Sequence, residues 1–197
     1  MDNTAPINEK LTIYVPRKPA VVKYTYLIFH SRSKDVTSHG LPKDAMRRLS
    51  NFSSDPVVFE GNTYPSIEHA YQAQKYICSN RPEIAKHFYD GTIETAEAAK
   101  TAGGKGGMKK RGAALDFTCW SEKKSEDIMR SLVHNKVKSP EIWNILSILR
   151  KNHIRVVHFS RSDMFWGAHM NDTHTEIIKG KNKLGDMYNE IMYGNGK

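Results

Sequence analysis

A carboxylate, two carboxamides and an ammonium group fall close together in Ser66-Ile67-Glu68-His69-Ala70-Tyr71-Gln72-Ala73-Gln74-Lys75-Tyr76. On a helical wheel Glu68, Gln72 and Lys75 share one side, flanked by Tyr71. Ala70, Ala73 and Ile77 form the opposite side, with Ile67 near its edge, and read as the packing face. A solvated polar face would look the same. Tyr64, Tyr71 and Tyr76 crowd around it, however, and an aromatic wall suits a planar ligand. Glu68 lies in the first turn, where free backbone N–H groups favour negative charge, so the dipole holds its carboxyl ionised unless burial offsets it. An ionised carboxylate can act as base, nucleophile or stabiliser of positive charge, and is a poor general acid. Lys75, two turns on, can pair with that charge or bind phosphate.

Other chemistry-bearing stretches are less specific. Gly103-Gly104-Lys105-Gly106-Gly107-Met108-Lys109-Lys110-Arg111 reads as a basic, glycine-rich loop without the GK[ST] closure of a Walker motif. Its amides and the cations of Lys109 and Arg111 suit phosphates, and a flexible connector would read alike. Gly180-Lys181-Asn182-Lys183-Leu184-Gly185 precedes a helix, whose N-terminus is a ready anion site. His69 points away from Glu68 and is assigned to packing or to orienting a loop. His87, His134, His153 and His158 have no ligand spacing and read as structural or surface; nothing decides between pocket rim and surface for His169 and His174. Trp143, in EIWNIL, is assigned to the core. Cys78 and Cys119 lie far apart without CxxC spacing, so neither a zinc cage nor a disulfide framework is expected, and a reducing, intracellular compartment is the default.

The elements that must position these groups form one unit. At 197 residues, 39% hydrophobic and 26% charged, the chain suits a single well-buried core. No apolar run reaches membrane-spanning length, and MDNTAPINEK lacks the layout of a secretory signal. A formal charge of +9 points to an anionic partner, or to lysines that merely keep the protein soluble. Residues 1–22 read as a flexible N-terminal tail. Tyr24 to His30 predicts a strand, 43–49 a short helix, and 56–64 a hairpin turning at Gly61-Asn62. Helices are predicted from a Ser66 cap to about Cys78, then over 82–90, 93–102, 122–137, 140–151 and 184–193, with a buried strand at 154–159. Strands at both ends and helices between predict an α+β fold, a single mainly helical domain with a few short β-strands over residues 23–197.

Four stretches together resemble the NADAR family. They are Leu49-Ser50-Asn51-Phe52-Ser53, similar to an SNF element; Glu68-His69 with Gln72-Ala73-Gln74-Lys75, similar to EHxxQAQK; Trp120 with Met129-Arg130; and Asp163-Met164-Phe165-Trp166-Gly167 with Gly180 to Gly185, similar to D-x-x-WG and G-x-N-x-LG. They cover about residues 26–192. Ser31 to Arg47 departs from the pattern as an insertion, Ile67 replaces a small polar residue, and Ala168-His169 follows WG.

The resemblance implies hydrolysis of an N-glycosidic bond between ribose C1′ and a nitrogen base, without metal or redox cofactor. It assigns Glu68 and Asp163 as the carboxylate pair such chemistry needs. On the dipole argument Glu68 takes the anomeric side and Asp163, beside Arg161 and Phe165-Trp166, shuttles the proton. Lys75 is a third catalytic candidate, as an amine that attacks the opened sugar. Trp120 is expected to stack on the base, against the alternative of a core tryptophan, and Trp166 carries the same ambiguity. Asn51, Phe52, Tyr71, Gln72, Gly167, Lys109 and Arg111 are expected to bind substrate, with Asn182 and Gly185 at phosphate or ribose. Two substrate classes attach to the family: ADP-ribose linked to guanine in DNA or RNA, and ribosylamino-pyrimidine phosphates of riboflavin synthesis. The charge and the basic 103–111 stretch favour the first. A non-catalytic reader of ADP-ribose or a nucleotide is the competing class, and a generic nucleic-acid module lacks any helix-turn-helix, RRM or zinc signature. The expected location is the cytoplasm, or the nucleus in a eukaryote.

Overall fold

The computed structural model describes residues 24–194; the tail expected over 1–22 lies outside them. The α+β prediction holds: three two-stranded sheets fringe a mainly helical body. Strand β1, Thr25–Phe29, pairs in parallel with β4, Ile154–His158, from Thr25↔Ile154 to Phe29↔His158. This pairing sets the loops after both strands side by side. Helix α1 is Ala45–Arg48, and β2, Val57–Phe59, turns back into β3, Asn62–Tyr64.

Helix α2, Ile67–Ile77, runs through the centre. Its entry is capped by Ser66 Oγ, which accepts from the His69 N–H at 3.3 Å and donates to His69 Nδ1 at 2.8 Å. The other ring nitrogen, Nε2, donates to the Ile93 carbonyl at 3.1 Å. One sequence expectation is corrected here, because α2 is buried nearly all round. Glu68, Gln72 and Gln74 are inside while Ile77, assigned to the packing face, is 45% exposed. Of the three tyrosines, Tyr64 and Tyr76 belong to the core, Tyr76 donating to the Ala102 carbonyl; only Tyr71 is left to face a ligand.

The region expected as helix 82–90 is a 3-10 segment, Pro82–Phe88, and α3 begins late, at Ala96–Gly103 behind the Thr95 cap. The stretch read as a glycine-rich loop is helical instead, with α4 at Lys105–Lys110. Its glycines serve close packing: a Cβ on Gly103 would sit 2.1 Å from Gln72 Oε1, and one on Gly107 2.0 Å from the Thr101 carbonyl. Helices α5, Glu122–Val137, and α6, Pro140–Lys151, match expectation. Trp143 on α6 does not lie in the core as assigned; it is 53% exposed, because Ile142, Ile145, Leu146 and Leu149 define the buried stripe.

A hairpin unforeseen in the sequence, β5 (Ala168–Met170) with β6 (Ile177–Gly180), precedes α7, Lys183–Tyr193. Cys78 and Cys119 form a disulfide, contrary to expectation. Spacing along the chain misled: the Asp116 N–H bonds the Cys78 carbonyl at 2.8 Å, which returns the loop before Cys119 to the end of α2. Among the described residues no helix is long and apolar enough to cross a membrane.

Candidate active site

The Ser50–Phe52 loop lies between α1 and β2 and docks on the start of α2. The Glu68 N–H donates to the Asn51 carbonyl at 3.0 Å, satisfying one of the helix's free amides. Behind the loop, the fully buried Lys136 of α5 donates to the Ser50 carbonyl at 2.8 Å and to Ser53 Oγ. Burial pulls the Lys136 ammonium down to about 7, against the pull of Asp55.

In front of the loop is a cavity of about 300 Å³. Its floor is the polar side of α2: Glu68, Tyr71, Gln72 and Lys75. Glu68 is 6% exposed, and Oε1 accepts from Gln72 Nε2 at 2.8 Å. Burial pushes the Glu68 carboxyl above the usual range; the Gln72 bond and the Lys100 and Lys75 charges oppose this, and Asp163 adds to it. The dipole argument is therefore overturned: desolvation dominates at this helix start. Lys75 is pulled below the ordinary ammonium range by burial, against the attraction of Glu68 and Asp163. Its Nζ donates to the Gly103 carbonyl at 3.4 Å. Burial drives the Tyr71 hydroxyl up to about 12, so it stays protonated.

Asp163 closes the opposite wall. Its Oδ1 accepts from the backbone N–H groups of Phe165 at 3.1 Å and Trp166 at 3.0 Å, which fixes the carboxylate. Trp166 also lines the cavity, its ring edge-on to Tyr71 at 5.8 Å between centroids. Asn51 and Phe52 line it too, and Asn51 Oδ1 is buried without a partner, an acceptor open to a ligand donor. The structure thus brings Glu68, Asp163, Lys75, Asn51, Phe52, Tyr71, Gln72 and Trp166 to one cavity.

Other expected residues stand elsewhere. Trp120 does not line the cavity; it sits behind Tyr71, edge-on at 5.4 Å, and supports that ring. Gly167 is buried, and a Cβ there would meet Ser160 Cβ at 2.6 Å, so its role is close packing. The anion site expected at Asn182 and Gly185 is corrected as well. The N–H groups of Lys181 to Leu184 already donate to the carbonyls of Met164 to Gly167, at 2.8–3.3 Å. Asn182 Oδ1 accepts from the His158 N–H at 2.8 Å, and a Cβ on Gly185 would strike that carboxamide at 2.3 Å. Asn182 and Asn189 together line the free edge of β4, bonding the N–H groups of His158 and Val156 as a neighbouring strand would. Lys109 lies on the exposed side of α4, and Arg111 borders a separate groove with Gly106 and Gly107.

Lining residues that the sequence did not single out for the site include two titratable ones. His158, read as structural or surface, reaches the cavity from the end of β4; Nδ1 donates to the Trp166 carbonyl at 3.3 Å, and burial holds the imidazole below its usual range and neutral. Lys100 on α3 places its ammonium 5.3 Å from the Phe52 ring centre. Nothing in the spacing of either residue links it to α2. Among the described residues no three His, Cys, Asp or Glu side chains group closely enough to hold a metal ion.

Two acids from different segments, Glu68 and Asp163, thus face one small cavity walled by aromatic rings. A family model described as the NADAR domain matches residues 35–192, and the chain belongs to that family. N-glycosidase YbiA of Shigella flexneri is 25% identical over 171 residues, which span 87% of this chain and 89% of that protein. N-glycosidase YbiA of Escherichia coli K12 is likewise 25% identical over the same shares. The NMR structure of the E. coli protein YbiA superposes with a TM-score of 0.60 at 22% identity, covering 87% of this chain and 85% of that one, and so shares its fold.

Proposed function

We propose that this chain is an N-glycoside hydrolase that cleaves the bond between ribose C1′ and a nitrogen base, with ADP-ribosylated guanine in nucleic acid as its substrate. The observation that carries the reading is that Glu68 and Asp163 line the same cavity in different environments, one desolvated and one held by backbone amides. Acid and base assignments follow from such a split. The roles expected from the helix dipole are exchanged: Glu68, whose carboxyl pKa burial raises above the usual range, donates its proton to the departing base nitrogen. Asp163 stabilises positive charge at C1′ and takes the proton of the water that attacks there. Tyr71 and Trp166 supply faces for the base, and Asn51 Oδ1 accepts from a substrate hydroxyl or ring N–H.

Lys75 supports a second route. Its weakened ammonium makes a neutral amine accessible, which would attack C1′ as the C1′–N bond breaks, its two protons passing to the departing base and to the ring oxygen, and leave an imine to the opened ribose that water then hydrolyses. Reduction by borohydride would trap that adduct as a mass increase on Lys75; no adduct would leave the direct route. The small-metabolite alternative, a ribosylamino-pyrimidine phosphate, needs only the inner cavity. Incubating the protein with an oligonucleotide bearing ADP-ribosyl-guanine, and separately with the pyrimidine phosphate, decides the substrate. Release of ADP-ribose from the first supports the reading, while base release from the second alone replaces the substrate. Binding of both without release would leave the non-catalytic reader. We propose the cytoplasm as its location, where Cys78 and Cys119, bridged in this structure, would be held as free thiols.

A further inference from the structure

The inner cavity adjoins a chamber of about 680 Å³, with which it shares Ser50, Phe52, Lys100, His158 and Asp163. The chemistry above leaves this chamber unused. Its wall joins residues 30–32, which follow β1, to residues 159–162, which follow β4, and the parallel pairing of those strands is what sets the two segments together. Three cations border it: Arg32, Lys100 and Arg161. Among the described residues none of the three has a carboxylate within 4.0 Å, although the ion pairs elsewhere in the fold are well made. Besides Asp163, one acid, Glu97, faces the space. Arg32 lies ahead of residues 35–192, the part of the chain that the family model matches.

Three cations without acidic partners around a chamber beside the reacting carbon call for an anion on the substrate itself. Resting on the proposed hydrolysis of a ribosyl–base bond, we infer that this chamber is a subsite for a 5′-diphosphate, with Arg32, Lys100 and Arg161 as its cations. The ribose whose C1′ meets Glu68 and Asp163 directs its 5′ side outward past Phe52 and Lys100, two of the residues common to both spaces. A single phosphate would leave most of a chamber more than twice the inner cavity's volume to water. A diphosphate engages planar guanidinium groups from both strand ends. Glu97 cannot accept from phosphate and is assigned to hydroxyl donors of the sugar beyond it.

Calorimetric titration of the full chain with ADP-ribose and with ribose 5-phosphate tests the subsite. Arg32 and Arg161 are exposed, so Arg32→Ala, Arg161→Ala and the double variant should fold, which an unchanged melting temperature verifies. Each single variant is expected to weaken ADP-ribose binding about tenfold and the double variant about a hundredfold, whereas ribose 5-phosphate binding should change less than about threefold. ADP-ribose bound equally well by the double variant and the wild type would overturn the subsite. The two readings fail separately. Arginine-dependent ADP-ribose binding without base release from any substrate would remove the hydrolase and leave the subsite. Hydrolysis of ADP-ribosyl-guanine by the double variant at unchanged KM would do the reverse.

Discussion

Glu68 sets two demands against each other within one side chain. Burial raises its pKa, so the folded protein keeps a proton that the unfolded chain releases above about 4.5. Stability is therefore full below the unfolded pKa and is lost as pH rises toward the raised folded value. Glu68→Gln, which keeps shape and the hydrogen bond to Gln72 but carries no proton to release, should gain on the order of 1 kcal/mol in urea unfolding at pH 7 and nothing at pH 4. The same variant should lose turnover by ~10²–10⁴-fold while retaining ligand binding. In the wild type, kcat should fall on the alkaline side as Glu68 ionises, measured as a pH–rate profile of base release. The grouping of Glu68, Gln72 and Lys75 on one helix side was legible from spacing alone. The state of Glu68 was not, because the cavity wall is completed by Asn51 and by Asp163, whose charge also opposes ionisation of Glu68, on segments that no local pattern connects to α2.

The elements divide into those that form the cavity and those that hold its formers still. The Ser50–Phe52 loop has no regular structure and depends on Lys136 from behind. Lys136→Met should leave the Ser50 carbonyl and Ser53 hydroxyl unpaired, loosen the loop and raise KM several-fold more than it lowers kcat in steady-state assays. Its pH signature has a defined sign. The unfolded chain holds the lysine proton up to about 10.5 and the folded chain only to about 7, so wild-type stability climbs as pH rises through that window. Denaturation followed from pH 7 to 10 should show that climb in the wild type and its absence in the variant. Asn182→Ala tests the corrected role at the other side. Removing the carboxamide strips the β4 edge of its partner and should cost about 2–3 kcal/mol in stability, with KM for substrate little changed. Long helices such as α5 and α6 were legible because their apolar stripes persist for several turns. The β5–β6 hairpin was not, since His169, Lys179 and the short run between them carry no alternation, and the Cys78–Cys119 pair was hidden by its separation of 41 residues.

At the scale of the whole molecule the charge of +9 has a measurable counterpart. With an ADP-ribosylated oligonucleotide as substrate, KM should rise about tenfold between roughly 50 and roughly 200 mM salt at constant kcat. Free ADP-ribosyl-guanosine should show a much shallower dependence, and equal slopes would deny the polynucleotide any extended contact. The architecture was readable as α+β because strand signals sat at both ends with helices between. That those end strands pair with each other was not readable, although it is this pairing that assembles the outer chamber. It also dictates an order of events on the ribosome. Until residue 158 has been made, β1 has no sheet partner, and until α7 follows, the far edge of β4 is uncovered. Helices can form as they emerge, but the long loop between the paired strands closes only after β4 has emerged. Nascent chains that stall within α6 would expose a bare, apolar edge strand, the kind of surface that chaperones shield and that otherwise seeds aggregation.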